Sequence, residues 1–538
     1  MLIDIKQHKR RMSALQAVRQ ELEPGWAECY DLSYPERGVG LNNSTTSVSD
    51  IQPKKNRILD DTLADTVRIL ASAIVSGTTP ANSMWFGMSG GGEDDGEELS
   101  EEDRWFEQAS KHVFNNIHGA GFDPVAYECA TDMTIAGWFV LYVDAPESGG
   151  YLFEQWPLAE CHITSSRPGQ RVDTIYRTVS FTVEQVVNEY GFDSCSLKVR
   201  TSYTNGQMDD KVKVVHCIYP RSVSVADARL AKNLPFASIH FELDGDNMLR
   251  ESGYHEFPCI VPRWMLVPGT PYATGPASKA LGAARTLQDI KALELANLDL
   301  AVAGMYLGVD DGIFNPRTAR LGPRKILVAA SLDSLKRLDG DGAGFNVAFT
   351  AEDRLQAQIR KLMLADQLTP QDGPAMTATE VHARIQLIRQ LLGPIYARLQ
   401  SEYLQPLIER CFGIAYRAGI LGVAPESIRG RPYIVKYVSP LARAQRMEEV
   451  TAIDQYVAGA AQIAQLYPEV LDTIDFDAAQ KIRAEALGVP SKVVPTDVRL
   501  REIRAQRAEQ QQAAQQQAMM SEAMVKSAPT LAGKMADG

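Results

Sequence analysis

TATEVHARIQLIRQLLGPIYARLQSEYLQPLIERCFGIAYRAG occupies residues 377–419. Its apolar side chains Val381, Ile385, Ile388, Leu391, Leu392, Ile395, Leu399, Tyr403, Leu407 and Ile408 recur at steps of three and four. That spacing lines one face of an α-helix. Thr377 or Thr379 can cap the start, and Thr377 stands three residues ahead of Glu380, as in a capping box. Gly419 suits the stop, because a helix often closes on a left-handed residue without Cβ. A helix of roughly forty residues runs about 60 Å at 1.5 Å per residue. That is longer than an ordinary domain is wide, so it is expected to cross one part of the molecule and leave it. Pro394 and Pro406 each remove a backbone donor and crowd the preceding turn, which predicts bends at both. Periodicity alone equally suits a long core helix of a large enzyme.

The whole chain of 538 residues is long enough for several cores, about two to four domains. Its 45% hydrophobic and 23% charged residues are the proportions of a globular protein. It holds no apolar run long enough to predict a membrane-spanning helix. The start, MLIDIKQHKRRMSALQAVRQ, is charged and lacks the apolar core of a secretory signal. The seven cysteines are scattered, without CxxC spacing, and read as reduced packing thiols of a protein made in a cytosol. No metal site and no cofactor is expected. The net charge of −12 argues against a sequence-specific nucleic-acid reader, whose surface would be basic. It leaves room for a conduit whose acidic walls repel phosphate.

Outward from the long helix, residues 4–30 and 54–77 read as helices separated by a polar loop. GMSGG at 87–91 matches the G-x-S-x-G nucleophile elbow, which needs a strand before it and a helix directly after. Here it runs into GGEDDGEELSEED, so a loop is expected; a serine hydrolase using Ser89 stands as an alternative function. Residues 100–118 read as a helix, and a further helix to 136 is expected to start with Asp123 as N-cap and Pro124 in its first turn. Strands follow at 137–144, 151–158, 173–179, 212–219, 238–243 and 260–264, with a short helix from about Thr182. Residues 1–265 therefore read as an α+β domain in which Trp138, Trp156 and Trp264 serve as core or subunit interface.

Residues 267–304 lead through Pro and Gly into a helix, and their TGPASKAL lacks the spacing of a phosphate-binding loop. The pattern breaks over 305–349 into short β runs. DGDG at 339–342 lacks the later carboxylates of a calcium loop and reads as a turn. Arg317, Arg320, Arg324 and Lys325 cluster there, as a solvated face or as a docking surface. A helix capped by Thr350 is expected over 350–368, ending in the loop TPQDGPAM. Beyond Gly419, RPYIVKYVSPL reads as a strand entering a helix at Ser439–Pro440, with more helix to 488 and an Ala- and Gln-rich tail from 495.

TATEV with LLGPIYARLQSEYLQPLIER, SPLARAQR at 439–446 and the block 271–302 resemble the head-to-tail connector (portal) proteins of short-tailed, podovirus-type phages. TPANSMWF at 79–86 and DTIDFDAAQKIRAEALG are similar to the same family. The resemblance runs from about 54 to 504 and is weakest at 90–100, 145–260 and the tail. It implies a mainly helical α+β portal fold: wing (1–265), first stem helix (266–304), clip (305–349), second stem helix (350–368), tunnel loop (369–376), long kinked helix with return strand (377–435), crown (436–494) and a C-terminal barrel helix or tail (495–538). It further implies a homo-oligomeric ring, usually of twelve copies, at one capsid vertex of the virion, made in the host bacterial cytoplasm. Double-stranded DNA would pass through the ring without sequence reading, past a constriction at Thr369, Pro370, Gln371, Asp372, Gly373 and Pro374. Implied partners are the terminase large subunit, which supplies ATP hydrolysis, and a tail adaptor, either of which would dock near the Arg317, Arg320, Arg324 and Lys325 cluster, together with the major capsid and scaffolding proteins and internal core or ejection proteins. The chain itself would be no enzyme. A non-portal ring such as a tail adaptor is the remaining alternative, though adaptors are usually much shorter.

Overall fold

The computed structural model describes residues 4–41, 48–82, 84–90, 101–146, 149–222, 230–303, 305–308, 335–338, 343–368, 393, 395–426, 433–437, 440–464, 467–486 and 499–510. Two compact units emerge, Met1–Ala81 with Asn115–Ala418, and Asn82–Phe114 with Gly419–Gly538. Residues 82–114 thus group with the C-terminal part of the chain rather than with their sequence neighbours. Among the described residues no helix is long and apolar enough to cross a membrane.

The first unit starts with α1 (Ile5–Gln20), capped by the Asp4 carboxylate, and α2 (Glu23–Asp31). One helix was expected over 4–30. It divides because Pro24, in the first turn of α2, cannot continue a helix begun upstream. The expected helix 54–77 likewise divides, into α3 (Ile51–Lys55) and α4 (Thr62–Thr78), with Asp60 accepting the Thr62 N–H at 2.9 Å. α5 (Glu101–Gly119) agrees with expectation, and α6 (Phe122–Ile135) corrects one detail. Gly121, at φ 76°, holds the cap position, while Asp123 hydrogen-bonds His118 at 2.8 Å instead.

Two antiparallel sheets follow. β2 (Leu141–Asp144) lies between β3 (Leu152–Gln155) and β9 (Cys259–Ile260). The larger sheet has the order β4-β5-β6-β7-β8: Cys161–Thr164, Thr174–Thr182, Lys211–Pro220, Phe236–Glu242 and Met248–Tyr254. The alternation of each long strand sends one set of side chains to a core with α1, formed by Met12, Tyr176, Val215, Cys217, Ile239 and Phe241. The connection from β5 to β6 folds into α7 (Val183–Tyr190) and α8 (Leu197–Thr204), which enclose a second core around Val186, Val199 and Leu249. Thr182 and Gln185 make both bonds of a capping box at the start of α7. β10 (Met265–Leu266) and β11 (Ala273–Thr274) form a small hairpin. Trp138, Trp156 and Trp264 are buried within this unit, which decides for core.

The second unit contains β1 (Phe86–Gly90), paired antiparallel with β14 (Tyr433–Tyr437), and helices Pro440–Ile463 and Phe476–Ala486. Residues 499–510 are helical and exposed almost throughout. Ser89 is the fourth residue of β1, opposite Ile434, so the expected loop is a strand here. Met88, beside it, gives its N–H to Ser110 Oγ at 3.0 Å. A serine inside a paired strand lacks the sharp strand-to-helix turn that exposes an elbow nucleophile.

Candidate functional site

The first unit carries a helix pair, α9 (Pro276–Ala303) with α10 (Ala343–Leu362), followed by the short α11 (Ala365–Leu368). β12 (Met305–Gly308) continues from α9 and pairs antiparallel with β13 (Leu335–Leu338), which precedes α10. The second helix was expected to start at Thr350. It begins seven residues earlier, at Ala343, so Thr350 lies inside it and caps nothing. With 28 residues α9 runs about 42 Å.

The base of α9 is fixed by backbone contact. Gly137 sits at φ 87°, and a Cβ there would lie 2.1 Å from the Thr274 carbonyl carbon. A Cβ on Gly275 would lie 2.6 Å from Thr134 O. Both positions therefore exclude every side chain, and Pro276 then enters the helix with φ already set. Trp26 Nε1 donates to Ala273 O at 3.2 Å, and the rings of Trp26, Trp138 and Tyr272 pack on one another at 5.3 to 5.6 Å. This is the physical content of TGPASKAL, which holds no phosphate loop.

Along its inner half α9 buries Ala277, Ala280, Leu281, Ala284 and Leu287, the steps of three and four that face α2, α4 and α6. A polar clamp closes this half. Gln288 accepts the Leu59 N–H at 2.7 Å and donates to Asp60 O at 2.8 Å. Gln356 of α10 donates to the Asp60 carboxylate at 2.8 Å. Lys291 pairs with Glu352 across the two helices, and that hydrogen bond raises the Lys291 pKa. Beyond the clamp the character reverses. Leu293 (65% exposed), Leu298 (52%) and Phe349 of α10 (54%) face outward, uncovered among the described residues.

The long helix is described from residue 395. Pro406 has no N–H to return to the preceding turn. Directly ahead of it Gln400–Leu404 widens into a π turn, in which Gln405 N–H reaches Gln400 O. This is the form the expected bend takes. The helix resumes over Gln405–Arg417 and stops ahead of Gly419, at φ 72°. Arg263 holds the π turn through a two-pronged bond to Glu402 (3.0 and 2.7 Å) and also donates to Gln170 O at 3.0 Å. Arg398 donates to Trp264 O. Arg410 bonds Glu256 at 3.0 Å and Asp144 at 3.3 Å, and Arg417 closes on Glu256 with both prongs. Burial alone would raise the Glu256 carboxyl; the hydrogen bonds from Arg417 and Arg410 outweigh it, so its pKa falls below the ordinary value.

Thr369, Pro370, Gln371, Asp372, Gly373 and Pro374 lie outside the described residues, as do Arg317, Arg320, Arg324 and Lys325, the start of the long helix at Thr377, and Pro394. The polar groups that fasten the helix pair and the long helix, among them Gln288, Gln356, Arg263 and Glu402, carried no sequence signal beyond being polar on otherwise apolar helix faces. All seven cysteines are buried, and burial pushes the thiols of Cys29, Cys161 and Cys217 up to about 12. None of these thiols can supply a thiolate nucleophile near neutral pH.

A family model described as bacteriophage head to tail connecting protein matches residues 6–494. The probable portal protein of Bordetella phage BPP-1 is 29% identical over 511 residues, 90% of this chain and 87% of its own length. The portal protein of Salmonella phage epsilon15 is 29% identical over 500 residues, 90% and 88% of the two chains. The portal protein of Pseudomonas phage phiKMV is 26% identical over 259 residues, covering 45% of this chain and 48% of its own. A chain in the neck of an empty gene transfer agent particle covers 73% of this chain and 86% of its own, with 13% identity and a TM-score of 0.36.

Proposed function

The chain belongs to the bacteriophage head-to-tail connecting (portal) protein family, and from that premise we propose that twelve copies close into a ring at one capsid vertex, with the α9–α10 pair as the stem around a central channel. The observation that carries this is the outer half of the pair. Leu293, Leu298 and Phe349 present apolar surface that the described residues of a single chain leave in water. A copy on each side removes it, and apolar burial stabilises by about 25 cal/mol per Å². Double-stranded DNA passes through the channel without base reading during packaging and ejection, and the ring retains it in between.

In this reading β12 and β13 belong to the clip, where Arg317, Arg320, Arg324 and Lys325 dock the terminase large subunit and later the tail adaptor. Residues 369–374 form the constriction around DNA. Major capsid, scaffolding and internal core or ejection proteins meet the rest of the ring, and synthesis takes place in the host bacterial cytoplasm. The chain is structural, and the terminase hydrolyses ATP.

Native mass spectrometry with negative-stain imaging tests the ring. Twelve chains of 59.2 kDa give 12 × 59.2, about 710 kDa, and particles with a central hole are expected. A monomer or dimer at every salt concentration, with scaffolding protein present or absent, overturns the proposal.

A further inference from the structure

The larger sheet of the first unit carries an unusual row. Arg177 of β5 stands opposite His216 of β6, His216 opposite His240 of β7, and His240 opposite Arg250 of β8. Four neighbouring strands thus present four basic side chains side by side. The two imidazoles stack, with ring centres 3.9 Å apart and planes inclined by 19°. His216 Nε2 is hydrogen-bonded to Ser238 Oγ and His240 Nδ1 to Tyr190 OH, both at 2.9 Å.

The surroundings are unequal. Arg177 lies over the Trp156 ring and pairs with Glu160 (2.8 Å) and Glu154 (3.3 Å). Arg250 lies over the Tyr190 ring and pairs with Glu189 at 3.1 Å. The carboxylates therefore neutralise the two ends of the row. Its centre is packed by Trp156 and Tyr142, and among the described residues no carboxylate bonds to either imidazole. A proton on either ring meets a stacked imidazole on one side and a guanidinium on the other.

We infer that the Arg177–His216–His240–Arg250 row is an acid-sensitive seam, at which the pairing of β6 with β7 loosens when the imidazoles take up protons. Burial, then the neighbouring His240 imidazole, then the charges of Arg177 and Arg250, hold His216 well below the ordinary imidazole range. Burial and Arg250 lower His240 to about 3. An unfolded histidine titrates at about 6.5. Each ring therefore contributes fully to stability above that pH, and progressively less as the pH falls toward its folded value. Between pH 7 and 5.5 the opening equilibrium rises about tenfold for each ring exposed by opening. The register of β7 on β8 already shifts between His240 and Phe241, so the seam lies beside an irregular ladder.

Two measurements on the full-length assembled protein decide the matter. Exchange at the imidazole C2 position, followed by mass spectrometry from pH 4 to 9, reads each histidine's titration without any substitution. Midpoints well below the ordinary imidazole value at His216 and His240 are expected, and an ordinary midpoint at either overturns the inference. Backbone exchange, corrected for the intrinsic effect of pH, is expected to rise at least tenfold in β6 and β7 between pH 7 and 5.5. In the double variant His216→Gln, His240→Gln, whose amides keep hydrogen-bonding groups without titrating, that rise should vanish. Equal acid sensitivity in β2–β3 and in β6–β7 would show general acid unfolding and refute the seam.

Discussion

Removing Glu402 should unfasten the π turn, and the size of the effect follows from its surroundings. The Arg263 side chain is 3% exposed and that of Glu402 10%, so the pair is nearly dry. Glu402→Ala leaves the guanidinium buried with, among the described residues, only the Gln170 carbonyl as a partner. Breaking a buried pair from one side costs about 3–5 kcal/mol, because the remaining charge is uncompensated. Arg263→Met should cost a similar amount through the stranded carboxylate. The double variant Arg263→Met, Glu402→Leu removes both charges at nearly constant volume, and such replacements are often close to neutral. The loss in the double variant should therefore fall short of the two single losses together by about 6 kcal/mol or more, a coupling larger than the about 0.5–3 kcal/mol usual between contacting residues. Urea unfolding followed by tryptophan fluorescence is the assay, since Trp138 forms a backbone bridge to Arg263 and Trp264 adjoins it. If each single variant loses less than about 1 kcal/mol, the usual value of an exposed ion pair, the reasoning from burial is wrong.

Other consequences are as direct. Gly137→Ala should destabilise the base of α9 by more than the about 1–2 kcal/mol of a left-handed non-glycine residue, because its Cβ also meets Thr274 backbone; urea titration against Gly149→Ala, an open left-handed position, isolates the steric part. Leu293→Glu with Leu298→Glu should shift the assembly toward smaller species in native mass spectra while the circular dichroism of the chain stays unchanged. The thiols should resist alkylation at pH 8 in the native protein and react once urea unfolds it, since all seven are buried. Glu256, whose pKa is lowered on folding from its usual 4.5, stabilises above that value and loses the contribution as the pH falls through the lowered one. Glu256→Gln should accordingly flatten the acid limb of the stability profile below pH 5.

Much of this architecture can be read from periodicity and punctuation. α9 and the stop at Gly419 stand where repeating apolar steps and a glycine put them, and the long strands of the main sheet where β-branched and aromatic runs put them. The failures have local causes. Pro24 divides a helix whose hydrophobic spacing continues across it. Thr350 resembles a cap, yet α10 begins seven residues earlier, at Ala343. β4 and β8 are short or polar on one side and show too few alternations to be recognised. The fastening of the helix pair is less legible still. Gln288 and Asp60 meet only because α9 and the start of α4 converge, and no pattern along one segment encodes a bond across 228 residues. The same holds for Arg263 and Glu402.

The π turn ahead of Pro406 also fixes phase. Each residue of an α-helix turns the chain by about 100°. The wide turn at Gln400–Leu404 holds one residue more than an α turn would, so the residues before it are rotated by that angle relative to Gln405–Arg417. Deleting Ser401 would restore ordinary winding without shortening the helix by more than about 1.5 Å. It would nevertheless turn Leu399 away from the interior it now occupies. Length variation among related chains should therefore be tolerated in loops and refused here, where one residue acts as an angular setting.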